Sequence, residues 1–289
     1  MTAREGMTLT HIGVVGAGQM GSGIAQVCAA AGFDVLVQYT TEAALGRSRS
    51  AIANSLQKLV ARGSVDQEKA SRTMAQIRYT SEIVAVCSEA DLIVEAVYED
   101  LDLKRSVFAA LEKHARADAV LASNTSAIPI TEISSKLTCK DRVIGLHFMN
   151  PVVLMSGVEI IRGEMTSEAT FQTCLSFLHA LGKEPVVAVD YAGFIVTRLL
   201  DVLMNEAVSL VEEGTRPEEI DKAMELCAGH PMGPFKLLDL VGAEIAMHGM
   251  EIMARDFGDR YKARPLLKRR VLAGLLGKKT GRGFYDYGT

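Results

Sequence analysis

Tryptophan is absent from the 289 residues, and aromatic residues make up only 6%. Platforms that stack sugar rings or bases are therefore not expected. Neither sign of charge dominates, since 31 basic residues stand against 35 acidic ones for a net charge of −4. That balance carries no electrostatic footprint for nucleic acid. No apolar run reaches the roughly 18 residues a bilayer span requires, so no membrane partner is expected. Residues 1–8, MTAREGMT, lack the apolar core of a signal peptide. The five cysteines, Cys28, Cys87, Cys139, Cys174 and Cys227, are far apart and form no CxxC pair. A zinc site or a disulfide framework is thus not expected, and a reducing cytoplasm is the simplest setting. Each thiol reads as a small buried apolar group.

Apolar residues at 48% and charged residues at 23% describe a globular chain. Its length suits two domains of roughly 150 residues each. Residues 11–15, HIGVV, form a β-rich run that leads into Gly16-Ala-Gly18-Gln-Met-Gly21. A helical stretch from Ser22 to Ala31 follows, Gly32 ends it, and Val35-Leu-Val37 reads as a second strand. That order makes a βαβ unit. Apolar runs recur at residues 91–96, 119–122, 143–146, 158–161 and 185–189, with helical stretches between several of them. Such continuous runs indicate a parallel sheet buried on both faces. Residues 42–77 are polar and helical in period, and read as two helices joined near Arg62-Gly63-Ser64 that extend beyond the core. After Val189 the strand signal stops. The fold class expected is α/β. An N-terminal Rossmann doubly wound, mostly parallel sheet over 9–189 carries the 42–77 helical arm. An all-helical domain follows over 190–289.

The spacing Gly16-x-Gly18-x-x-Gly21, after a strand and before a helix, is that of a dinucleotide-binding turn. The first glycine permits the tight turn, the second admits the pyrophosphate, and the third lets helix and strand pack closely. The helix N-terminus offers N–H groups to the phosphates. A Rossmann unit for NAD usually carries Asp or Glu at the end of its second strand to hold the ribose. Here that strand ends Val37-Gln38-Tyr39-Thr40-Thr41. Without the carboxylate nothing repels a 2′-phosphate, and Thr40, Thr41 and Arg47 are placed to meet one, so NADP is an option beside NAD. In the alternative reading Tyr39 packs on the adenine and Gln38 takes the ribose.

Three further segments carry chemistry. Ser123-Asn-Thr-Ser126 and His147-Phe-Met-Asn150-Pro151 each follow a buried strand, and Glu159 sits inside an apolar run. Burying a carboxylate costs several kcal/mol unless it is paired. A neighbouring imidazole removes that cost, and the carboxylate in turn favours the protonated ring. Open α/β sheets place ligands at such strand ends.

The stretches GVVGAGQMGSGIAQ (13–26), DLIVEAVYED (91–100), LASNTSAIPIT (121–131) and GLHFMNPV (145–152) occur in order along the chain. GFIVTRLL (193–200), GHPMGPFKLLDLVG (229–242) and KKTGRGFYDY (278–287) follow them. Together they resemble the 3-hydroxyacyl-CoA dehydrogenase family, in its single-function bacterial 3-hydroxybutyryl-CoA type. The resemblance implies hydride transfer between NAD(P) and C3 of a 3-hydroxyacyl thioester. It implies His147 as general base, Glu159 as the group that orients it, and Ser126 on the substrate oxygen. Asn150 would seat the nicotinamide end. Glu99, Lys104 and Lys279 would contact the cofactor, as would Gln19 and Met20 in the turn, Tyr39 and Thr40, Ala96 and Asn124. The 42–77 pair corresponds to a CoA-gripping arm, whose Lys58 and Arg62 would meet CoA phosphates. A homodimer is also implied.

The sequence departs from the family at three places. The ribose carboxylate falls at Tyr39, the active-site Asn becomes Thr197, and a Lys-Leu pair before the catalytic Glu becomes Ser156-Gly157. Polar recognition is unforgiving of lost partners. An enzyme acting on a hydroxyacyl group held by an acyl carrier protein, as in polyketide extender-unit pathways, is the alternative, and so is another hydroxy acid. A cofactor-binding protein without catalysis is the reading from another class.

Overall fold

The computed structural model describes residues 9–288. Residues 1–8, read above for a signal peptide, lie outside them. Eight strands form one sheet: β1 (His11–Val15), β2 (Asp34–Gln38), β3 (Ile77–Thr80), β4 (Leu92–Glu95), β5 (Val120–Ser123), β6 (Val143–Phe148), β7 (Gly157–Arg162) and β8 (Glu184–Ala188). Their order is β3-β2-β1-β4-β5-β6-β7-β8. Every neighbouring pair is parallel except β6–β7, which is antiparallel. The winding therefore reverses between β1 and β4, which is where an open α/β sheet opens a crevice for a ligand. The strands β4, β5 and β6 are buried along their whole length, which is why they read as continuous apolar runs.

Helices α1 (Gln19–Ala30), α2 (Glu42–Ala61), α3 (Gln67–Ala75), α4 (Ile83–Glu89), α5 (Leu101–His114), α6 (Ile130–Ser134) and α7 (Glu168–Ala180) connect these strands. Their starts carry the expected caps. The side chains of Thr41, Asp66, Asp100 and Ser167 each accept a first-turn N–H. The polar segment after β2 is indeed a helix pair, but it ends sooner than its period suggests, because Ile77 already belongs to β3. The pair is also tied to the core, where Leu45, Ile52, Leu56 and Ala70 join the cluster formed with Ile24 and Cys28 of α1. Only its other face is polar.

The chain divides into two compact units after Asp190. The second is all-helical: α8 (Val196–Glu212), α9 (Pro217–Cys227), α10 (Pro234–Val241), α11 (Ala243–Phe257) and α12 (Pro265–Leu272). Met204, Val208, Phe235, Leu238, Met250 and Leu267 form its core. Proline opens α9, α10 and α12 at a position where its missing N–H costs nothing. Two buried carboxylates close the unit. Asp239 accepts from the N–H groups of Phe284 and Tyr285 and from the Tyr287 hydroxyl. Asp221 accepts from the first-turn N–H groups of α10 and from the Tyr285 hydroxyl. Among the described residues no helix is long and apolar enough to cross a membrane, and no cluster of His, Cys, Asp and Glu could hold a metal ion.

Candidate active site

The glycine turn, Glu99, Asn124, Ser126, His147 and Asn150 lie at or just past the C-terminal ends of β1, β4, β5 and β6, whereas Tyr39 follows β2, Glu159 is inside β7, and Lys58 and Arg62 are at the end of α2. The glycine turn leaves β1. A Cβ at Gly16 would collide with the Ala96 carbonyl, and one at Gly21 would collide with the Gly16 carbonyl. Gly18 differs, for nothing lies within 4 Å of where its Cβ would project. Gly18 is also the N-cap of α1 and supplies no side-chain cap, so its side of the turn faces open space rather than protein. A bare backbone over a helix N-terminus is the cradle a pyrophosphate needs. Beside it, Gln19 Nε2 donates to Asn150 Oδ1 at 3.0 Å, linking the turn to the loop after β6.

At the ribose end, Gly16 N–H donates to the Gln38 carbonyl, so Tyr39 follows directly beside the turn. The Gln38 side chain is buried and donates to the Ser81 carbonyl at 3.0 Å. Its amide therefore also meets the loop after β3. Tyr39 is 37% exposed.

His147 lies on β6 directly opposite Glu159 on β7. The antiparallel register places the two side chains on one face as cross-strand neighbours. His147 Nδ1 is 2.7 Å from Glu159 Oε2, with the histidine 6% and the glutamate 1% exposed. A carboxylate accepts only, so Nδ1 carries the proton and the ring's lone pair sits on Nε2. The arrangement is a base nitrogen backed by a buried carboxylate.

Ser126 lies past the end of β5, half-buried, in a loop strapped to its surroundings. Its N–H donates to Glu99 Oε1 at 2.8 Å, as does that of Ala127. Asn124 is buried, and its Oδ1 accepts from Phe148 N–H beside His147. Lys104 is wholly buried, with Nζ 2.8 Å from Glu95 and 3.3 Å from Glu99. Burial pushes the ammonium down, but the two carboxylates outweigh it and hold Lys104 above its ordinary value. Lys58 and Arg62 lie exposed at the end of α2.

A family model for the NAD-binding domain of 3-hydroxyacyl-CoA dehydrogenase matches residues 11–191, and one for the C-terminal domain of the same family matches residues 193–287. The chain belongs to the 3-hydroxyacyl-CoA dehydrogenase family. It is an oxidoreductase, and NAD(H) is its cofactor. A 3-hydroxybutyryl-CoA dehydrogenase of Clostridioides difficile is 40% identical over 96% of this chain and 99% of its own. Among solved structures, FadB2 of M. tuberculosis superposes with a TM-score of 0.95 at 40% identity, covering 98% of this chain and all of its own. The (S)-3-hydroxybutyryl-CoA dehydrogenase PaaH1 of Ralstonia eutropha gives 0.90 at 36% identity, with the same coverage.

Two residues that the family resemblance brings forward lie in the second unit. Thr197 is in the first turn of α8, and one turn on is Asp201, 4% exposed, whose Oδ2 has no hydrogen-bond partner among the described residues. Lys279 pairs with Glu244. Sequence reasoning picked out the segment Ser123–Ser126 but missed Glu95 and the pairing of Ser123 with it. Glu95 is 0% exposed inside LIVE, and Ser123 Oγ donates to it at 2.6 Å. The signal was available, because a carboxylate in an apolar strand demands a partner in the same way as Glu159.

Proposed function

We propose that the protein transfers hydride between NAD(H) and C3 of a 3-hydroxyacyl-CoA, with 3-hydroxybutyryl-CoA and acetoacetyl-CoA as the substrate pair. The buried His147–Glu159 pair carries this reading, because alcohol oxidation needs a base within hydrogen-bond reach of the hydroxyl. His147 Nε2 accepts the proton of the C3 hydroxyl, and Glu159 stabilises the imidazolium that results. In the reductive direction the same nitrogen returns the proton. The Ser126 hydroxyl donates to the substrate oxygen and fixes its distance from the ring. Gly16, Gly18, Gly21 and the N-terminus of α1 hold the dinucleotide phosphates, and Asn150, tied to Gln19, borders its nicotinamide end. NAD, when bound, takes up the hydride that leaves C3. Lys58 and Arg62 meet the CoA phosphates. The protein works as a homodimer, and its free thiols fit the reducing cytoplasm.

Purified protein given acetoacetyl-CoA and NADH should consume the reduced cofactor's absorbance. No turnover with NADH or NADPH would remove the acyl-CoA reading. A carrier-bound acetoacetyl group and free hydroxy acids in the same panel decide the carrier question. NADPH reports whether Tyr39 admits a 2′-phosphate. His147→Ala should lower the rate by about 100-fold or more, and near-wild-type turnover in that variant would defeat the assignment.

A further inference from the structure

The net charge of −4 averages two unlike regions. Residues 260–285 hold nine lysines and arginines and no aspartate or glutamate, which leaves 22 basic residues against 35 acidic ones in the rest of the chain. This segment lies in the second unit and contains α12. One side of that helix is built into the unit: Leu267 is buried in the helical core, and Val271 packs against it. The other side meets solvent through Arg269 and Leu272. Leu272, the last residue of α12, is 87% exposed, more than any other large apolar side chain among the described residues. Residues three and four apart share a helix face, so Arg269 and Lys268 flank it.

Three features set this face apart from an ordinary solvated helix. First, its charge is not neutralised locally. Arg264 pairs with Glu212 and Lys279 with Glu244, and the other seven basic residues of the segment form no ion pair among the described residues. Second, like charges crowd one another. Burial lowers the Arg270 guanidinium from its ordinary value and the neighbouring Arg282 adds to the effect, together outweighing Asp239. The Arg270 Nε is buried without a hydrogen-bond partner among the described residues. Third, a recess of about 540 Å³ opens beside Leu272, lined also by Leu266, Arg269, Arg270, Ala273 and Leu275. Arginine matches phosphate oxygens in a fork while its stem lies along apolar surface, so this lining suits a phosphate carried on an apolar stem.

Two kinds of acidic surface could satisfy the cations, and Leu272 decides between them. A leucine that projects from a cationic helix end enters a lipid headgroup layer without a matched pocket, whereas an acidic protein has to bring one. Basic residues clustered on an amphipathic helix are what an anionic leaflet attracts.

We propose that α12 and the loop behind it form a docking face for an anionic phospholipid surface, with Leu272 entering the headgroup layer and Lys268, Arg269 and Arg270 meeting lipid phosphates. No span is involved, so the lack of a long apolar run is no obstacle. The attachment is reversible, because one leucine and a few cations hold far less firmly than a membrane-spanning helix.

The chain has no tryptophan, so Leu272→Trp places a single reporter at the proposed point of entry. The full-length variant is mixed with vesicles of phosphatidylcholine alone, and with vesicles of two parts phosphatidylcholine to one part phosphatidylglycerol. Only the anionic vesicles should move its emission to shorter wavelength and shield it from acrylamide. Co-sedimentation of the unaltered chain should show binding to the anionic vesicles about 10-fold or more above that to the neutral ones, and the binding should weaken as NaCl rises. Arg269→Gln and Leu272→Gln should each weaken it by about 5-fold, with turnover of acetoacetyl-CoA in free solution unchanged. Unshifted emission with anionic vesicles, or equal binding to both vesicle types, overturns the proposal. So does emission that is already shifted without vesicles and reverts on dilution, which gives the face to a second copy of the chain. Binding that responds to Arg269→Gln and ignores Leu272→Gln also overturns it, in favour of an acidic protein. Release from the vesicles by free CoA overturns it as well, and assigns the face to CoA.

Discussion

Asp201 is a costly side chain for its host helix. Its carboxyl is buried on α8, and burial pushes it well above the ordinary carboxylate range. A missing side chain at Gly249 of α11 makes the room, since a Cβ there would approach Asp201 Oδ2 to 2.7 Å. The folded state thus holds a proton that the unfolded chain releases. For a group raised in the folded state, stability falls as pH climbs from the unfolded value toward the folded one. Asp201→Asn should therefore raise Tm at pH 8 by about 2–4 °C, the shift that roughly 1 kcal/mol produces. The gain should vanish near pH 2, below the ordinary aspartate range, where Asp201 is protonated in both states. A gain that is equal at both pH values would rule out this account. Asp201 also shows where reading a sequence stops. The residue falls in the apolar-periodic stretch RLLDVLM, and periodicity cannot tell a buried acid from one that turns to solvent.

At the level of single elements, side-chain carboxylates join helices to loops that have no ladder of their own. Glu112 near the end of α5 accepts from Thr138 N–H, Thr138 Oγ1 and Cys139 N–H at 2.6, 2.8 and 2.9 Å. Burial raises its carboxyl, but these donors together outweigh that and hold it at about 2. The sign is opposite to that of Asp201. The contribution is present above the unfolded value and is lost as pH falls through the folded one. Glu112→Gln should lower Tm at pH 7 by about 2–4 °C, and the deficit should shrink as the pH approaches 2. A deficit that persists unchanged at low pH would contradict the charge-based account. Strands were the most legible elements. The buried β4, β5 and β6 announce themselves as apolar runs. The edge strand β3, IRYT, does not, because only Ile77 is buried and the other three residues are exposed or half-buried. The helix α4 between β3 and β4 was missed with it. Periodicity also could not tell that β7 runs against β6, since direction leaves no trace in a short apolar run. The glycine turn, Ser126, His147 and Glu159 were legible because each lies at a strand end or breaks a strand's pattern. The Glu99 strap was not, because a carboxylate on a turn looks the same whether it faces water or a backbone loop.

At the scale of the whole molecule, the net charge of −4 sets how phosphorylated ligands are met. With no broad positive field implied by that charge, the function proposed above leaves the phosphates of a dinucleotide or CoA to placed groups such as the α1 N-terminus, Lys58 and Arg62. Electrostatically steered association falls steeply with ionic strength, whereas locally placed contacts are less sensitive. Raising NaCl from about 50 to 300 mM should change kcat/KM for acetoacetyl-CoA by less than about 3-fold, and a loss of tenfold or more would show that a long-range field is at work. The proposed dimer belongs to the same scale. The helix α8 leaves Leu199 65% exposed, and Leu210 and the adjoining Ile195 are also exposed. Light scattering after size exclusion should give twice the mass of one chain, and a monomer mass would refute the pairing.

The cross-strand register of His147 and Glu159 has a bearing on how this scaffold can change. Twelve residues separate the two in the chain, yet their meeting depends on the β6–β7 ladder, with Gly145 paired to Ile161 and Phe148 to Val158. The connection at 149–156 can therefore be lengthened, shortened or recoloured while the base and its carboxylate stay opposed. Part of that stretch is anchored, since Lys183 donates to the carbonyls of Val152 and Met155. The exposed side chains of Leu154, Met155 and Ser156 are not part of that anchor. The surface of the loop and the cross-strand pairing are in this sense separately heritable. Drift at Ser156 can change the surface of this loop without disturbing the pairing of His147 with Glu159.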